Sequence, residues 1–214
     1  MNRGKFITFE GPEGGGKTTQ ARRLLQRLQK AGFGVIYTRE PGGTPTGEAI
    51  RDILQHDKAG EAICPEAEVF LFAASRAQLV RHVILPALER GTFVVCDRFV
   101  DSTTAYQGFG RGFSVEQMLA INTFAIGPAV PDVTFLLDVN VDLSFKRLAK
   151  RHQENFDRSD RIEREERAFH ERVRQGYLEL VRKWPERIRT LDGGRDPDDL
   201  ETQIWASVQD VIHR

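Results

Sequence analysis

The chain has 214 residues, with 31 basic side chains (Lys plus Arg) and 31 acidic ones (Asp plus Glu), so its formal net charge is zero. This balance argues against a surface built to neutralise a nucleic-acid backbone, and against a chain that is disordered because of high net charge. The length predicts one domain, spanning residues 1–214, with room for a small lid.

Cysteine usage and hydropathy indicate the compartment. Cys64 and Cys96 lie far apart and lack the spacing of a zinc site or a disulfide framework. No apolar run approaches the roughly 18 residues needed to cross a bilayer, and no signal-peptide pattern precedes the first apolar run. We therefore expect a cytoplasmic protein with reduced cysteines and with neither membrane nor nucleic acid as a partner.

Five short apolar runs predict the strands of a mostly parallel sheet. They are rich in β-branched and aromatic residues and do not alternate with polar ones, as is typical of strands buried on both faces. The predicted strands are 6–9, 35–38, 93–97, 134–138 and 188–191.

Helical patterns lie between these strands. The first has Leu24, Leu25 and Leu28 on one face and stops at Gly32. The others are predicted over 66–90 with a kink or division at Pro86, over 114–126 with a capping box, over 142–152, over 160–184, and from 197 to the end. Strands that alternate with helices indicate an α/β domain.

Residues 11–18 read GPEGGGKT and fit the P-loop pattern G-x-x-x-x-G-K-[ST]. The glycines let backbone N–H groups converge on phosphate oxygens, and the following helix adds a partial positive charge. We predict that Lys17 reaches the β- and γ-phosphates of ATP and that the Thr18 hydroxyl binds Mg²⁺.

The P-loop therefore predicts a P-loop NTPase fold, a three-layer α/β/α architecture whose middle layer is a five-stranded parallel sheet. The predicted ATP contacts are the loop and the first residues of the next helix. They are Gly11, Pro12, Glu13, Gly14, Gly15, Gly16, Lys17, Thr18 and Thr19.

The segment after the third strand distinguishes among P-loop proteins. No asparagine is followed by lysine, so the N-K-x-D pattern with which GTPases read guanine is absent from the sequence. Asp97 can hold Mg²⁺ through water, but Arg98 follows it where hydrolytic ATPases usually carry a glutamate. An arginine there favours a second anionic ligand, which indicates phosphoryl transfer to a bound acceptor rather than hydrolysis.

Four segments resemble those of thymidylate kinases. Residues 95–107 (VCDRFVDSTTAYQ) resemble that family's signature segment, and residues 39–44 (REPGGT) its loop after the second strand. Residues 71–79 (LFAASRAQL) resemble its nucleoside-binding helix, and residues 160–163 (DRIE) the end of its lid. The resemblance implies a homodimer that transfers the γ-phosphate of ATP to dTMP with the help of Mg²⁺.

The resemblance also implies a dTMP site. Arg98 and Arg39 would grip the acceptor phosphate, and Phe72 would stack on thymine. Arg39 has the alternative of pairing with Glu40 or Asp97. The other implied contacts are Arg76 with an exocyclic base oxygen, Ser102, Thr104 and Gln107 near the base and sugar, Tyr106 beneath the deoxyribose, and Glu13 and Glu163 toward the sugar.

The P-loop carries no catalytic arginine, and the resemblance therefore implies one in the lid. Residues 12–15 contain no Arg or Lys, so the chain resembles family members that carry the catalytic arginine in the lid, here about 147–161. The transition state needs positive charge on the equatorial oxygens of the transferred group. We predict Arg151 in this role, with Arg158 as the alternative, and Arg147 stacking on adenine.

Two other functions stay open at this point. One is a P-loop kinase for a different mononucleotide or for a deoxynucleoside. The other is a regulatory module that binds nucleotides without transferring phosphate, although the set Lys17, Thr18, Asp97 and Arg98 argues against it.

Overall fold

A computed structural model describes residues 3–56, 60–155 and 160–212 of the chain. Its five strands are β1 (Phe6–Glu10), β2 (Val35–Arg39), β3 (Phe93–Asp97), β4 (Val133–Asp138) and β5 (Ile188–Asp192). They form one parallel sheet in the order β2-β3-β1-β4-β5. All five predicted strands are confirmed, each to within one residue at either end.

Helices surround this sheet. They are α1 (Lys17–Lys30), α2 (Pro45–Gln55), α3 (Pro65–Leu79), α4 (Leu85–Glu89), α5 (Val100–Thr103), α6 (Val115–Ile126), α7 (Val141–Asn155), α8 (Arg167–Lys183) and α9 (Pro197–Ile212). Two segments have π-helical geometry, Val80–Ile84 between α3 and α4 and Thr104–Gly110 directly after α5. Within the described residues, none of these helices combines the length and the apolar character needed to cross a membrane.

The predicted division at Pro86 takes the form of a widened turn rather than a break. Residues 65–89 run as one continuous helix that opens into π geometry over Val80–Ile84, immediately before Pro86. Proline lacks an N–H, and its ring collides with the carbonyl four residues earlier in a regular helix. The longer turn accommodates both effects and keeps the helix going.

Two helix predictions need correction. Residues 160–166 form turns, and α8 begins only at Arg167. The Asp160 carboxylate accepts from the backbone N–H groups of Ile162 and Glu163, both at 2.9 Å, as the cap of a helix does, but the turn that it caps does not continue into α8. The sequence analysis also missed α2, although the hydroxyl of Thr44 caps it by accepting from the Gly47 N–H at 3.0 Å, and it missed the helical segment 100–110.

The core lies on both faces of the sheet. Along β1, Phe6 packs on one face while Ile7 and Phe9 pack on the other, as the two-residue period of a strand requires. One face is covered by α1 and α9, and the other by the long helix 65–89. A third apolar cluster packs the segment Thr104–Gly110 against α8 through Tyr106, Phe169, Val173 and Tyr177.

Candidate active site

A cleft of about 1140 Å³ opens at the carboxyl edge of the sheet. There the P-loop follows β1, Arg39 ends β2 and Asp97 ends β3, because parallel strands bring their carboxyl ends to one edge. The cleft exceeds the roughly 1,000 Å³ at the top of the usual range for small-molecule sites, so it has room for two nucleotides. In the described part of the chain, every predicted site residue lines it except Gly11, Pro12 and Thr104.

The P-loop wraps around the ammonium group of Lys17. Its Nζ donates to the carbonyl oxygens of Gly11 (3.0 Å) and Pro12 (2.7 Å). Gly11 approaches β4 so closely that a Cβ on it would lie 2.4 Å from the Leu137 carbonyl oxygen. Burial and the charge of Arg98 lower the pKa of Lys17 to about 8. The ammonium is therefore held at the centre of a loop whose N–H groups suit phosphate.

Thr18 and Asp97 meet where a magnesium ion would be needed. The Thr18 hydroxyl, at the start of α1, donates to Asp97 Oδ2, and the Tyr37 hydroxyl lies 3.5 Å from the same oxygen. Among the described residues no cluster of three or more His, Cys, Asp or Glu side chains could hold a metal. One hydroxyl and one carboxylate nevertheless fit Mg²⁺, which usually takes its other ligands from substrate phosphates and water.

Arg98 turns back from β3 across the P-loop. Its φ angle is +69°, a left-handed conformation that is uncommon for a residue with a side chain, and its N–H donates to the Phe9 carbonyl at 2.9 Å. Its guanidinium donates to Glu13 (2.5 Å), Ser102 (3.1 Å) and the Gly11 carbonyl (3.2 Å). The strained backbone thus places a cation beside the phosphate loop.

Glu13 has partners that offset its charge. Burial by itself raises the pKa of Glu13, but Arg98 and Lys17 outweigh it and lower the pKa to about 2. The Tyr106 hydroxyl donates to the same carboxylate at 3.1 Å, and the Arg98 guanidinium lies over the Tyr106 ring. The carboxylate is therefore ionised and paired, which reduces its repulsion of a phosphate ligand.

Arg39 takes a partner that the sequence analysis did not consider. It pairs with Glu48 of α2 at 3.0 Å, and not with Glu40 or Asp97. Its guanidinium also donates to the Pro41 carbonyl at 3.2 Å. The two alternatives named for Arg39 are wrong, since α2, which brings Glu48 close, was not predicted.

Arg76 lines the cleft from α3 but is only 1% exposed. Its Nε and Nη2 donate to Glu40 Oε2 at 2.8 and 2.6 Å, Nη1 donates to Asn122 Oδ1 at 2.7 Å, and Nη2 also reaches the Phe99 carbonyl. A guanidinium has five N–H groups, and these bonds use four of them. One N–H group, on Nη1, takes part in none of these four bonds. The predicted base contact depends on that group or on a change of partner.

Of the two threonines that follow Ser102, the predicted Thr104 does not line the cleft and Thr103 does. Thr104 lies behind the wall of the cleft, where its hydroxyl donates to the Val100 carbonyl and accepts from Asn122, both at 3.2 Å. Thr103 lines the cleft instead, and its buried hydroxyl has no hydrogen-bond partner in the described structure. The sequence pattern alone does not show which threonine faces the cleft, and the contact of Thr104 with dTMP stays a prediction.

The family follows from the whole chain. A sequence model described as thymidylate kinase matches residues 9–204. The chain belongs to the thymidylate kinase family. The thymidylate kinase of Deinococcus radiodurans is 49% identical over 213 residues, which cover 100% of both chains. That of Thermomicrobium roseum is 48% identical over 209 residues, covering 98% of this chain and 96% of the relative.

A solved structure supports the same conclusion. The crystal structure of thymidylate kinase from Ehrlichia chaffeensis superposes with a TM-score of 0.76 at 31% identity, covering 97% of this chain and 99% of that one. The resemblance to thymidylate kinases and the predicted P-loop NTPase fold are confirmed.

Helix α7 lies beside the P-loop. Arg147 donates from Nη1 to the carbonyls of Gly14 (2.9 Å) and Gly193 (2.8 Å), so it joins the P-loop to the loop after β5. Arg147 and Gly193 both line the cleft. The stacking of Arg147 on adenine stays a prediction.

Further along α7, Arg151 lines the same cleft and pairs with Glu163. The Glu163 carboxylate also lies 3.0 Å from His152 Nε2. Glu163 raises the pKa of Arg151, although burial alone would lower it. Arg158, the predicted alternative to Arg151, lies outside the described residues.

The sequence analysis did not identify Glu10, a buried carboxylate that contacts Ser102 of the cleft wall. It is fully buried at the end of β1, and its carboxylate accepts from the Phe99 N–H (2.7 Å), the Ser102 hydroxyl (2.5 Å) and the Tyr177 hydroxyl (3.1 Å). Burial, helped by the nearby Asp101, raises the pKa of Glu10 to about 7. A charged residue directly after an apolar strand was the available signal.

Proposed function

We propose that the chain transfers the γ-phosphoryl group of ATP to the phosphate of dTMP, forming dTDP and ADP. Family membership supports this reaction, and one observation carries it. Arg98, next to the magnesium-type carboxylate Asp97, extends its guanidinium to within hydrogen-bond distance of Gly11 and Glu13 in the phosphate loop. A second cation beside the loop suits an acceptor phosphate that faces the donor.

The chemistry needs little from the protein beyond placement and charge. A phosphate oxygen of the acceptor forms a bond to the γ-phosphorus, while the bond from that phosphorus to the bridging oxygen of ADP breaks and ADP keeps the electron pair. Because an ionised phosphate needs no deprotonation to attack, no general base is required. This agrees with Arg98 occupying the position after Asp97.

Charge stabilisation is divided among named groups. Lys17 and the P-loop N–H groups hold the donor phosphates, and Arg98 with Arg39 holds the acceptor phosphate. Thr18 and, through water, Asp97 would hold Mg²⁺, which neutralises charge on the β- and γ-phosphates when bound. Arg151 would contribute its charge to the transferred group from the lid.

The thymine end of the cleft lies along α3 and the segment Thr104–Gly110. Phe72 would stack on thymine, and Tyr106 would pack beneath the deoxyribose, where a ribose 2′-hydroxyl would collide. The unpartnered Thr103 hydroxyl and the Gln107 amide, both at the cleft wall, supply hydrogen bonds for the base.

We also propose a single kinase domain over residues 1–214, with the lid at about 147–161, that acts as a homodimer. Two aromatic side chains support dimerisation: Phe70 on α3 is 63% exposed and Phe124 on the neighbouring α6 is 89% exposed. Large exposed apolar groups of this kind often mark a surface that another chain covers. A sedimentation measurement that gives the purified protein twice the monomer mass would support a homodimer. A cytoplasmic location remains a prediction that rests on the family.

A substrate panel tests the reaction. The purified chain is mixed with MgATP and, in turn, dTMP, dUMP, AMP, CMP or thymidine, and both products are quantified by chromatography. We expect dTDP and ADP in equal amounts, with dTMP the preferred acceptor. Lys17→Met, with unchanged melting temperature, should abolish both products. ADP without dTDP, or preference for another acceptor, would disprove the proposal.

A further inference from the structure

Glu68 is a fully buried carboxylate on α3 that collects donors from separate parts of the chain. It accepts from Gln107 Nε2 at 2.7 Å, from Arg111 at 3.2 and 3.3 Å, and from Arg161 Nη2. Burial alone raises the pKa of Glu68, but Arg111, Gln107 and Arg161 outweigh it and lower the pKa. Glu68 is therefore ionised, and it holds two guanidinium groups at once.

One of these guanidinium groups belongs to the turn that follows the lid, residues 160–166, which we call the exit turn. Arg161 also donates from Nε to the Leu54 carbonyl at 3.3 Å, and Gln55 lies 3.5 Å from the Asp160 carboxylate. The exit turn is thus attached to the C-terminal end of α2 and to Glu68 on α3.

The same turn carries the partner of Arg151. The Asp160 carboxylate holds the backbone N–H groups of Ile162 and Glu163, each at 2.9 Å. Glu163 then pairs with Arg151 of α7. Only one residue separates Arg161 from Glu163, so fixing the first guanidinium fixes the carboxylate that holds the second.

The other end of the network lies at the predicted base site. A carboxylate only accepts hydrogen bonds, so Gln107 must turn its amide nitrogen toward Glu68. The direction of its carbonyl oxygen is set by the same contact. Phe72, the predicted stacking residue, stands one helical turn after Glu68 on α3.

We propose that Glu68 is a positioning residue that connects the base end of the cleft to the lid arginine. It orients Gln107 on one side, and through Arg161 and the exit turn it places Glu163 and hence Arg151 on the other. This inference rests on the proposed function for its kinetic consequences. A purely structural role for Glu68 would change stability without changing how the reaction divides between binding and turnover.

Four variants separate these roles: Glu68→Gln, Arg161→Met, their double variant, and Glu165→Gln as the matched control. Glu165 also lies on the exit turn and pairs with Arg111 at 2.5 Å, but it does not contact Glu68 in the described structure. The control therefore removes a similar ion pair and leaves the proposed connection intact. If Glu68→Gln fails to fold, Arg161→Met still carries the test, since Glu68 keeps Arg111 in that variant.

In steady-state kinetics with MgATP and dTMP, Arg161→Met should lower kcat about tenfold and change KM for dTMP less than about twofold. Glu68→Gln should lower kcat similarly and also raise KM for dTMP, because Gln107 loses its orientation. The double variant should have the kcat of Glu68→Gln alone, since both changes break one connection. Glu165→Gln should keep kcat within about twofold of the parent.

A second measurement needs no substrate. Hydrogen exchange at the Ile162 and Glu163 amides should be faster in Arg161→Met and Glu68→Gln than in the parent chain or Glu165→Gln. Parent-like exchange in Arg161→Met would overturn the attachment of the exit turn. Faster exchange with parent-like kcat would overturn its link to Arg151. If the parent chain forms no dTDP, the proposed function fails, while the exchange result still decides whether Glu68 holds the turn.

Discussion

At the scale of single residues, Arg98 shows how backbone strain serves the site. Its φ of +69° costs free energy for a residue with a Cβ, and it persists because the Arg98 N–H is bonded to Phe9 in the neighbouring strand. The turn sends the side chain over the P-loop rather than away from the sheet. The proposed contact of Arg98 with the acceptor phosphate depends on a backbone conformation that its residue type disfavours.

Comparing Arg98→Gly with Arg98→Ala tests this strain. Both variants lose the guanidinium, so both should lose dTDP formation by about 100-fold or more. Glycine tolerates positive φ, so Arg98→Gly should be more stable than Arg98→Ala by about 1 kcal/mol. Urea unfolding of the two variants measures the difference. An alanine variant as stable as the glycine variant would show that the backbone is not strained.

Two adjacent threonines give a second test at this scale. Thr103→Val removes the unpartnered hydroxyl at the cleft wall and should raise KM for dTMP about tenfold, with little change in stability. Thr104→Val removes the bonds to Val100 and Asn122 and should cost about 1 kcal/mol of stability, with KM nearly unchanged. Steady-state kinetics and urea unfolding of both variants decide. The reverse pattern would restore the base contact to Thr104.

At the scale of elements, Arg151, the predicted lid arginine, belongs to the end of α7 and pairs with Glu163 of the exit turn. Arg151 and Glu163 are 12 residues apart in sequence, and both face the cleft. Their pairing keeps the guanidinium at the cleft wall, close enough for Glu13 to contribute to its raised pKa. A transferred phosphoryl group would compete with Glu163 for this cation.

Arg151→Ala should therefore lower kcat by about 100-fold or more while changing dTMP affinity little, because the charge acts mainly in the transition state. Arg167→Ala, which removes an exposed arginine paired with Asp142 and Glu171, is the control and should leave both parameters unchanged. If only KM for dTMP rose in Arg151→Ala, the assignment would be wrong. A larger loss of kcat in Arg158→Ala would favour the alternative arginine.

At the scale of the whole molecule, a chain of zero net charge builds a strongly charged cleft. Parallel strands bring the P-loop, Arg39 and Asp97 to one edge, and helices add Arg147 and Arg151. Many of the compensating acids pair with arginines elsewhere on the surface. Local charge, rather than net charge, therefore determines what the protein binds.

The fold as a whole also imposes a buried carboxylate with an unusual pKa. The pKa of Glu10 is raised from 4.5 to about 7, so its contribution to stability is fully present below pH 4.5 and is lost as pH rises through 7. Glutamine does not titrate, so the Glu10→Gln variant does not lose stability in this way as pH rises. The melting temperature of Glu10→Gln relative to the parent chain should therefore increase by several degrees between about pH 5 and 8.

Asp142→Asn provides the control for this pH effect. The hydrogen bond from Arg167 lowers the pKa of Asp142, so the carboxylate is ionised throughout the same range, in which Arg167 does not titrate. The melting temperature of Asp142→Asn relative to the parent should then stay constant from about pH 5 to 8. A constant difference for Glu10→Gln as well would contradict the raised pKa of Glu10.

The sequence by itself determined the five strands, the P-loop and the family, and it named most of the residues that line the cleft. These features are local: a buried strand is an apolar run, and a phosphate loop is a fixed spacing of glycines and lysine. The same locality explains the errors. Asp160 before a periodic stretch is the local signal of a helix start, and its carboxylate does accept from the N–H groups of Ile162 and Glu163, but the turn that it caps ends before α8 begins at Arg167.

Only the tertiary structure decided which side chains pair and which face the cleft. Glu13 meets Arg98 across 85 residues, and Glu68 meets Arg161 across 93, separations at which sequence periodicity carries no information. The choice between Thr103 and Thr104 falls at the junction of α5 with a π-helical segment, where the number of residues per turn changes. Motifs name the reactive groups, but packing sets their directions and their partners.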